Sequence, residues 1–84
     1  MQKDYMIILV DTRKEEAVTV QKILTEWGCV IKTRLGLHGG VLDDCSKNGT
    51  IFLELVGKQE QHLEMERKLN LLKGVAAKII ELEV

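Results

Sequence analysis

An unbroken apolar run near the N-terminus, residues 6–10, most constrains the fold of this chain. The run reads Met-Ile-Ile-Leu-Val and is rich in β-branched residues. A strand with one face in water alternates apolar and polar residues, whereas a strand covered on both faces is apolar throughout. The sequence therefore predicts a central first strand that is buried on both faces.

A helix is expected directly after this strand. Thr12 and Glu15 have the spacing of a capping box, which places the start of the helix near Arg13. Apolar residues then recur at steps of three and four, as in a helix that packs one stripe against a sheet. The stripe consists of Ala17, Val20, Ile23, Leu24 and Trp27. Gly28 is predicted to end the helix in the left-handed conformation.

The next segment, residues 30–37, alternates in the manner of a strand. Its pattern places Ile31, Thr33, Leu35 and Leu37 on one face and Lys32 and Arg34 on the other. A stretch rich in glycine and turn-forming residues follows and ends at Asn48-Gly49, a dipeptide favoured in hairpins. This stretch is therefore predicted to connect the second strand to the third.

The C-terminal half repeats the order of strand, helix and strand. Residues 50–56 are predicted to form a third strand that is largely apolar on both faces, and Gly57 breaks it. Residues 58–72 have helical spacing of apolar residues and end before Gly74. Residues 75–84 show the half-exposed alternation expected of an edge strand.

The complete order, βαββαβ, predicts a single α+β domain spanning residues 1–84, with the ferredoxin-like (ACT-like) fold. Right-handed crossovers place both helices on one face of a four-stranded antiparallel sheet. Strands one and three carry apolar residues on their other face as well, among them Phe52 and Val56. We expect a second copy of the chain to cover that face in a homodimer, and leave open whether dimers pair into tetramers.

The composition of the chain argues against two classes of function, direct nucleic-acid binding and membrane association. Twelve basic and 13 acidic residues are interspersed and give a net charge of −1, so no concentrated basic surface is predicted for direct nucleic-acid binding. No apolar run reaches the roughly 18 residues that a membrane span requires. The N-terminal apolar run is also too short for a signal-peptide core. We expect a cytoplasmic protein that contacts no membrane.

The residue types of an active site are present without the spacing that catalysis needs. Ser46 is the only serine, it lies outside a nucleophile-elbow motif, and nothing places His38 or His62 beside it. The glycine-rich stretch after the second strand lacks the Lys and Ser/Thr of a P-loop. Asp43 and Asp44 are interpreted as a solvated turn. The sequence therefore predicts a protein that is not an enzyme and needs no cofactor.

Four side chains could act as soft metal ligands: Cys29, Cys45, His38 and His62. The two cysteines lie sixteen positions apart without a CxxC pattern, which favours free thiols. His62 is predicted to pack half-buried beside the apolar stripe of the second helix. No metal site is predicted, and a metal-responsive protein remains an alternative.

Three segments carry a resemblance to a known family. They are Arg-Leu-Gly-Leu-His at 34–38, Asn-Gly-Thr-Ile at 48–51 and Lys-Leu-Asn-Leu-Leu-Lys-Gly-Val at 68–75. With the βαββαβ order, they resemble the small ACT-like proteins known as iron-only hydrogenase system regulators, over nearly the whole chain. That family resembles the ligand-binding domain of nickel-responsive repressors.

The resemblance implies a homo-oligomeric regulatory module that binds a small effector at a subunit interface. The chain lacks the glycine of ACT amino-acid sites after the first strand, the His-rich nickel motif, and any DNA-binding helical segment. A purely structural protein–protein interaction subunit is the other alternative. By resemblance, the ligand-binding residues are expected in two interface loops: Asp11, Thr12, Arg13, Arg34, Gly36 and His38.

Overall fold

The computed structural model describes residues 1–11, 15–38 and 48–84, with only the backbone described at residues 37, 38 and 48. In this part of the chain, four strands and two helices follow the predicted order. They are β1 (Gln2–Asp11), α1 (Glu16–Glu26), β2 (Ile31–His38), β3 (Asn48–Leu55), α2 (Gln59–Asn70) and β4 (Val75–Glu83). A short 3-10 turn, Gly28–Val30, connects α1 to β2.

The strands form one sheet in the order β2-β3-β1-β4, and every neighbouring pair is antiparallel. β1 and β3 therefore lie in the centre of the sheet, and β2 and β4 lie at its edges. This arrangement confirms the predicted ferredoxin-like α+β fold. None of the helices in the described ranges is long and apolar enough to span a membrane.

The core lies between the helices and one face of the sheet. The central strands contribute Met6, Ile8, Val10, Ile51, Leu53 and Leu55, which alternate along the chain and so share that face. The helices contribute Val20, Ile23, Leu24, Met65 and Leu69, as their spacing predicts. Trp27 and Leu72 pack partly buried against this cluster. Both helices therefore cover the same face, and no helix within residues 1–11, 15–38 and 48–84 lies on the other face of the sheet.

The helix ends differ in part from the predictions. α1 begins at Glu16 with Glu15 as its N-cap, and the predicted capping box at Thr12 lies outside the described residues. α2 begins after Gly57, whose φ of +88° turns the chain out of β3. The backbone N–H of Lys58 then donates to Gln61 Oε1 at 3.0 Å, which satisfies an amide that the helix leaves free.

The prediction that Gly28 is left-handed is wrong. The glycines with positive φ in the described ranges are Gly57 and Gly74, and Gly28 instead opens the 3-10 turn. The N–H of Val30 donates to the carbonyl of Trp27 at 3.0 Å, so the chain leaves α1 by tightening its last turn. A left-handed residue is not needed for this exit.

The face assignment in β2 is also partly wrong. Ile31 pairs with Leu55 and Thr33 pairs with Glu54, so a bulge places one extra residue in β2 at this point. Ile31 therefore faces the helices, whereas Thr33 and Leu35 face the opposite side. The predicted alternation holds only from Thr33 onward.

Candidate functional site

The sheet face turned away from the helices carries a continuous apolar surface. We call it the open face, and its apolar members are Tyr5, Ile7, Leu9, Leu35, Phe52, Ile80 and Leu82. Register places Leu35, Phe52 and Ile7 in one row across three strands. Within this row Leu35 of the edge strand is 52% exposed and Phe52 of the central strand β3 is 38% exposed, so large apolar side chains face solvent across the sheet.

A shallow apolar groove runs along the open face between β1 and β4. Ile7 and Leu9 of β1 line it together with Ala76 and Ile80 of β4. Lys78, which pairs with Ile7, also lines the groove. This surface can pack against another apolar surface, because the small alanine leaves a depression between larger side chains.

A cluster of charges borders the apolar row on the same face. Lys3 Nζ lies 3.2 Å from Glu54 Oε2, and Lys32 Nζ lies 3.9 Å from the same oxygen. The Thr33 hydroxyl donates to Glu54 Oε1 at 3.4 Å. The hydrogen bond from Lys3 is the largest of the effects that together lower the pKa of Glu54 below its ordinary value. The open face thus has an apolar centre and a polar border, the anatomy of a protein interface.

Two predicted ligand-binding positions lie at one end of the sheet. Asp11 pairs with Asn48, and His38 pairs with Gly49, so the ends of β1 and β2 flank the start of β3. The backbone N–H of Asp11 donates to the carbonyl of Gly74 at 2.7 Å, which joins this end to the start of β4. The structure therefore brings Asp11 and His38 to the same end of the sheet.

The other predicted ligand-binding positions that the structure describes, Arg34 and Gly36, lie on β2 before this end of the sheet. Arg34 pairs with Leu53 on the helix-facing side, and its guanidinium donates to Gln21 Oε1 of α1. Gly36 lies two residues further along β2, opposite Ile51, where a Cβ would meet no atom within 4 Å. Arg34 is therefore engaged with α1 rather than directed into the open face. Thr12 and Arg13 lie outside the described residues.

His62 is buried more deeply than predicted. Its side chain is 1% exposed, and Nε2 lies 2.7 Å from the carbonyl oxygen of Val56. The other ring nitrogen, Nδ1, has no hydrogen-bond partner among the described residues and lies 3.5 Å from Asp4 Oδ2. The carboxylate of Asp4 also accepts a hydrogen bond from Gln2 Nε2 at 3.0 Å. This contact ties α2 to β1 inside the fold, away from the open face.

The potential metal ligands do not form a cluster in the described part of the chain, where no three His, Cys, Asp or Glu side chains converge. Cys29 is exposed in the 3-10 turn. Cys45 lies outside the described residues, and at His38 only the backbone is described. The metal-responsive alternative, for which His38 and Cys45 are two of the four possible ligands, therefore stays a prediction.

No protein-family profile and no curated protein matches this chain. Solved structures do resemble it. The uncharacterised protein TM1266 from Thermotoga maritima is 23% identical, with a TM-score of 0.80 over 99% of this chain and 100% of that chain.

Two further structures with the same fold are called PII-like. TTHA0516 from Thermus thermophilus, described as a PII-like signalling protein, is 14% identical, with a TM-score of 0.64 over 100% of this chain and 90% of that chain. CPII from Thiomonas intermedia, a nitrogen regulatory PII-like protein bound to ADP, AMP and bicarbonate, is 9% identical, with a TM-score of 0.66 over 100% and 91%. At these identities the likeness concerns the fold: this chain shares the fold of TM1266 and of PII-like proteins.

Proposed function

We propose that this protein is a regulatory module that assembles through its open face and binds a small effector. The observation that carries the proposal is the row formed by Leu35, Phe52 and Ile7 on a sheet face without helices. Contiguous apolar patches of this kind usually mark association sites in soluble proteins. Burial of the row against a partner would remove its apolar surface from water, which is the main driving force for association.

A second copy of the chain is the proposed occupant of the open face. A chain of 84 residues buries a smaller share of its surface than larger domains do, so an oligomer adds core that the single chain lacks. The face also carries both signs of charge, with Lys3 beside Glu54 and Lys78 opposite Ile7, so that it can complement its own copy in a twofold pair. Association of dimers into tetramers is a further step that the same proposal allows.

The effector part of the proposal is supported by the likeness to PII-like proteins. One of them is described as a signalling protein, and another was solved with ADP, AMP and bicarbonate. We propose that the sheet end carrying Asp11 and His38, together with the predicted positions Arg34, Gly36, Thr12 and Arg13, binds an effector. An anionic effector is proposed because Arg34, four residues before His38 on the helix-facing side of β2, would exchange its contact with Gln21 for one with an anion.

The proposal includes no catalytic activity and a cytoplasmic location. It also includes a link to the iron-only hydrogenase system, which is supported by the sequence resemblance alone. A direct interaction with nucleic acid is not part of it, since the basic and acidic residues are evenly mixed.

A thermal-unfolding screen tests the effector part. ADP, AMP, bicarbonate, amino acids and salts of nickel, zinc and iron are added separately to the purified protein. A ligand at about 100 times its Kd should stabilise the fold by about 2.7 kcal/mol. In a domain of this size that shift corresponds to a rise in Tm of about 10 °C or more.

Variants at two arginines make the screen specific. Arg34→Ala should abolish the stabilisation, whereas Arg67→Ala, which changes an exposed arginine paired with Glu64 on α2, should retain it. Stabilisation by metal salts alone would favour the metal-responsive alternative. No response to any compound would contradict the effector part and favour the interaction subunit.

A further inference from the structure

β4 lies at the edge of the sheet, where half of its backbone groups have no strand to pair with. Alternate residues of an edge strand turn their N–H and C=O groups away from the neighbouring strand. Such an edge can add a strand from another molecule, and natural sheets block this reaction by specific devices. The outer groups of β4 include those of Ala77 and Ile79, which bond to α2.

Two side chains of α2 form hydrogen bonds with these outer backbone groups. The N–H of Ala77 donates to Asn70 Oδ1 at 2.8 Å, and Asn70 Nδ2 donates to the carbonyl of Ala77 at 2.9 Å. The N–H of Ile79 donates to Glu66 Oε2 at 2.8 Å. The carboxamide of Asn70 thus offers Ala77 one acceptor and one donor, as the peptide group of a neighbouring strand would.

The spacing of the helix matches the spacing of the strand. Residues 66 and 70 are four apart, which is a rise of about 6 Å along a helix. Residues 77 and 79 are two apart, which is about 6.8 Å along an antiparallel strand. At the next outward residue the contact is between side chains, where Gln59 Nε2 donates to Glu81 Oε1 at 3.0 Å. Side chains of α2 therefore bond the backbone of β4 at two successive outward positions, Ala77 and Ile79.

We propose that Glu66 and Asn70 are edge guards that stop β4 from pairing with β4 of another copy and so direct self-association to the open face. Without the guards, the same edge of two copies could pair in antiparallel fashion around a twofold axis. The proposal that the edge is blocked rests on the three hydrogen bonds of Asn70 and Glu66 with the backbone of β4. Its consequence for assembly rests on the proposed function.

The opposite edge has protection of another kind. β2 contains the bulge between Ile31 and Thr33, and the exposed charged residues Lys32 and Arg34 lie at and beside this bulge. Bulges and basic side chains are both devices that discourage strand addition. With both edges protected, the open face is the sheet surface that remains for a second copy.

The test uses the double variant Glu66→Ala/Asn70→Ala and a labelled peptide with the sequence of β4, VAAKIIELE. The wild type should not bind the peptide at concentrations where the double variant does, as measured by fluorescence anisotropy. Amide exchange at Ala77 and Ile79 should be at least about tenfold faster in the double variant under conditions where it does not self-pair. Its molar mass by light scattering should exceed that of the wild type at equal concentration.

Three controls separate the loss of the guards from a loss of folding. Arg67→Ala changes an exposed residue next to Glu66 on the same helix and should behave as the wild type. Glu66→Gln keeps an acceptor for Ile79 and should do the same. Asn70→Ala alone removes two of the three bonds, and serves as the test variant if circular dichroism shows that the double variant is unfolded.

The inference is overturned if a folded guard variant binds no peptide and keeps the molar mass of the wild type. It is also overturned if Ala77 and Ile79 exchange freely in the wild type, because the guarding bonds are then not formed. If the wild type is a monomer and the guard variant binds the peptide, assembly through the open face is contradicted. The proposal that Glu66 and Asn70 block the edge of β4 is then still supported. The two proposals therefore fail separately.

Discussion

At the residue scale, Gly57 sets the direction in which the chain passes from β3 into α2. Its φ of +88° is a conformation that other residues adopt only with strain. An added Cβ would lie 2.9 Å from Gln61 Oε1 and 3.2 Å from Val30 Cγ1. Gly57→Ala should therefore lower the free energy of unfolding by about 1–3 kcal/mol, measured by urea denaturation.

Gly28 provides the matched control for this prediction. It lies at the end of the other helix, its φ is not positive, and an added Cβ would meet no atom within 4 Å. Gly28→Ala should leave the free energy of unfolding unchanged or raise it by up to about 1 kcal/mol. Equal losses in the two variants would contradict the account of Gly57.

Sequence reasoning at the residue scale recognised the helical stripe better than the burial of its polar members. Periodicity correctly placed Met65 and Leu69 in the core. The same periodicity indicated only a half-buried His62, because complete burial depends on Asp4 and Val56 from distant parts of the chain. The spacing of His62 three residues before Met65 was the local signal for its position on the core side.

At the scale of elements, the sequence predicted the order and approximate bounds of all strands and helices. The errors occurred where one residue changes the geometry. The bulge in β2 was invisible, because an alternating pattern on an edge strand looks the same on either side of an inserted residue. Consequently Ile31 was assigned to the wrong face, whereas Arg34 was correctly placed opposite Leu35.

The candidate ligand-binding region was predicted less completely than the fold. Resemblance to a family indicated two loops, and the pairing of β1 and β2 with the start of β3 places Asp11 and His38 at one end of the sheet. The contact of Arg34 with Gln21 was not predicted, since it depends on how α1 lies across the edge strand. Contacts of this kind arise from packing between elements and leave no local pattern.

The cross-strand charge cluster on β1, β2 and β3 makes stability dependent on pH. Lys3 is the first cause of the lowered pKa of Glu54, so the folded state favours the ionised carboxylate. This stabilisation is present above the ordinary pKa of glutamate, about 4.3, and is lost as the pH falls through the lower folded value. Glu54→Gln should therefore show a smaller loss of stability than the wild type between about pH 5 and about pH 3.

Urea midpoints at the two pH values measure this difference. Glu83→Gln, which changes an exposed glutamate at the end of β4, is the matched control and should follow the wild type. If Glu54→Gln and the wild type lose the same stability over this range, the cluster does not act on folding as described.

At the scale of the whole molecule, the arrangement is a sheet with helices on one face only. This architecture could be predicted because β1 and β3 are apolar on both faces of the sheet. The two helices cover only one of these faces. The structure confirms the covered face and leaves Leu9, Leu35 and Phe52 exposed on the other. We therefore expect the chain to assemble through that face.

Light scattering after size-exclusion chromatography, at high micromolar protein concentration, tests this claim most directly. The wild type should have at least twice the 9.5 kDa mass of one chain. Phe52→Glu should shift it to a single chain with an unchanged circular dichroism spectrum. Val18→Glu, which changes an exposed valine of α1, should leave the mass unaltered. A wild-type mass of 9.5 kDa would contradict the account.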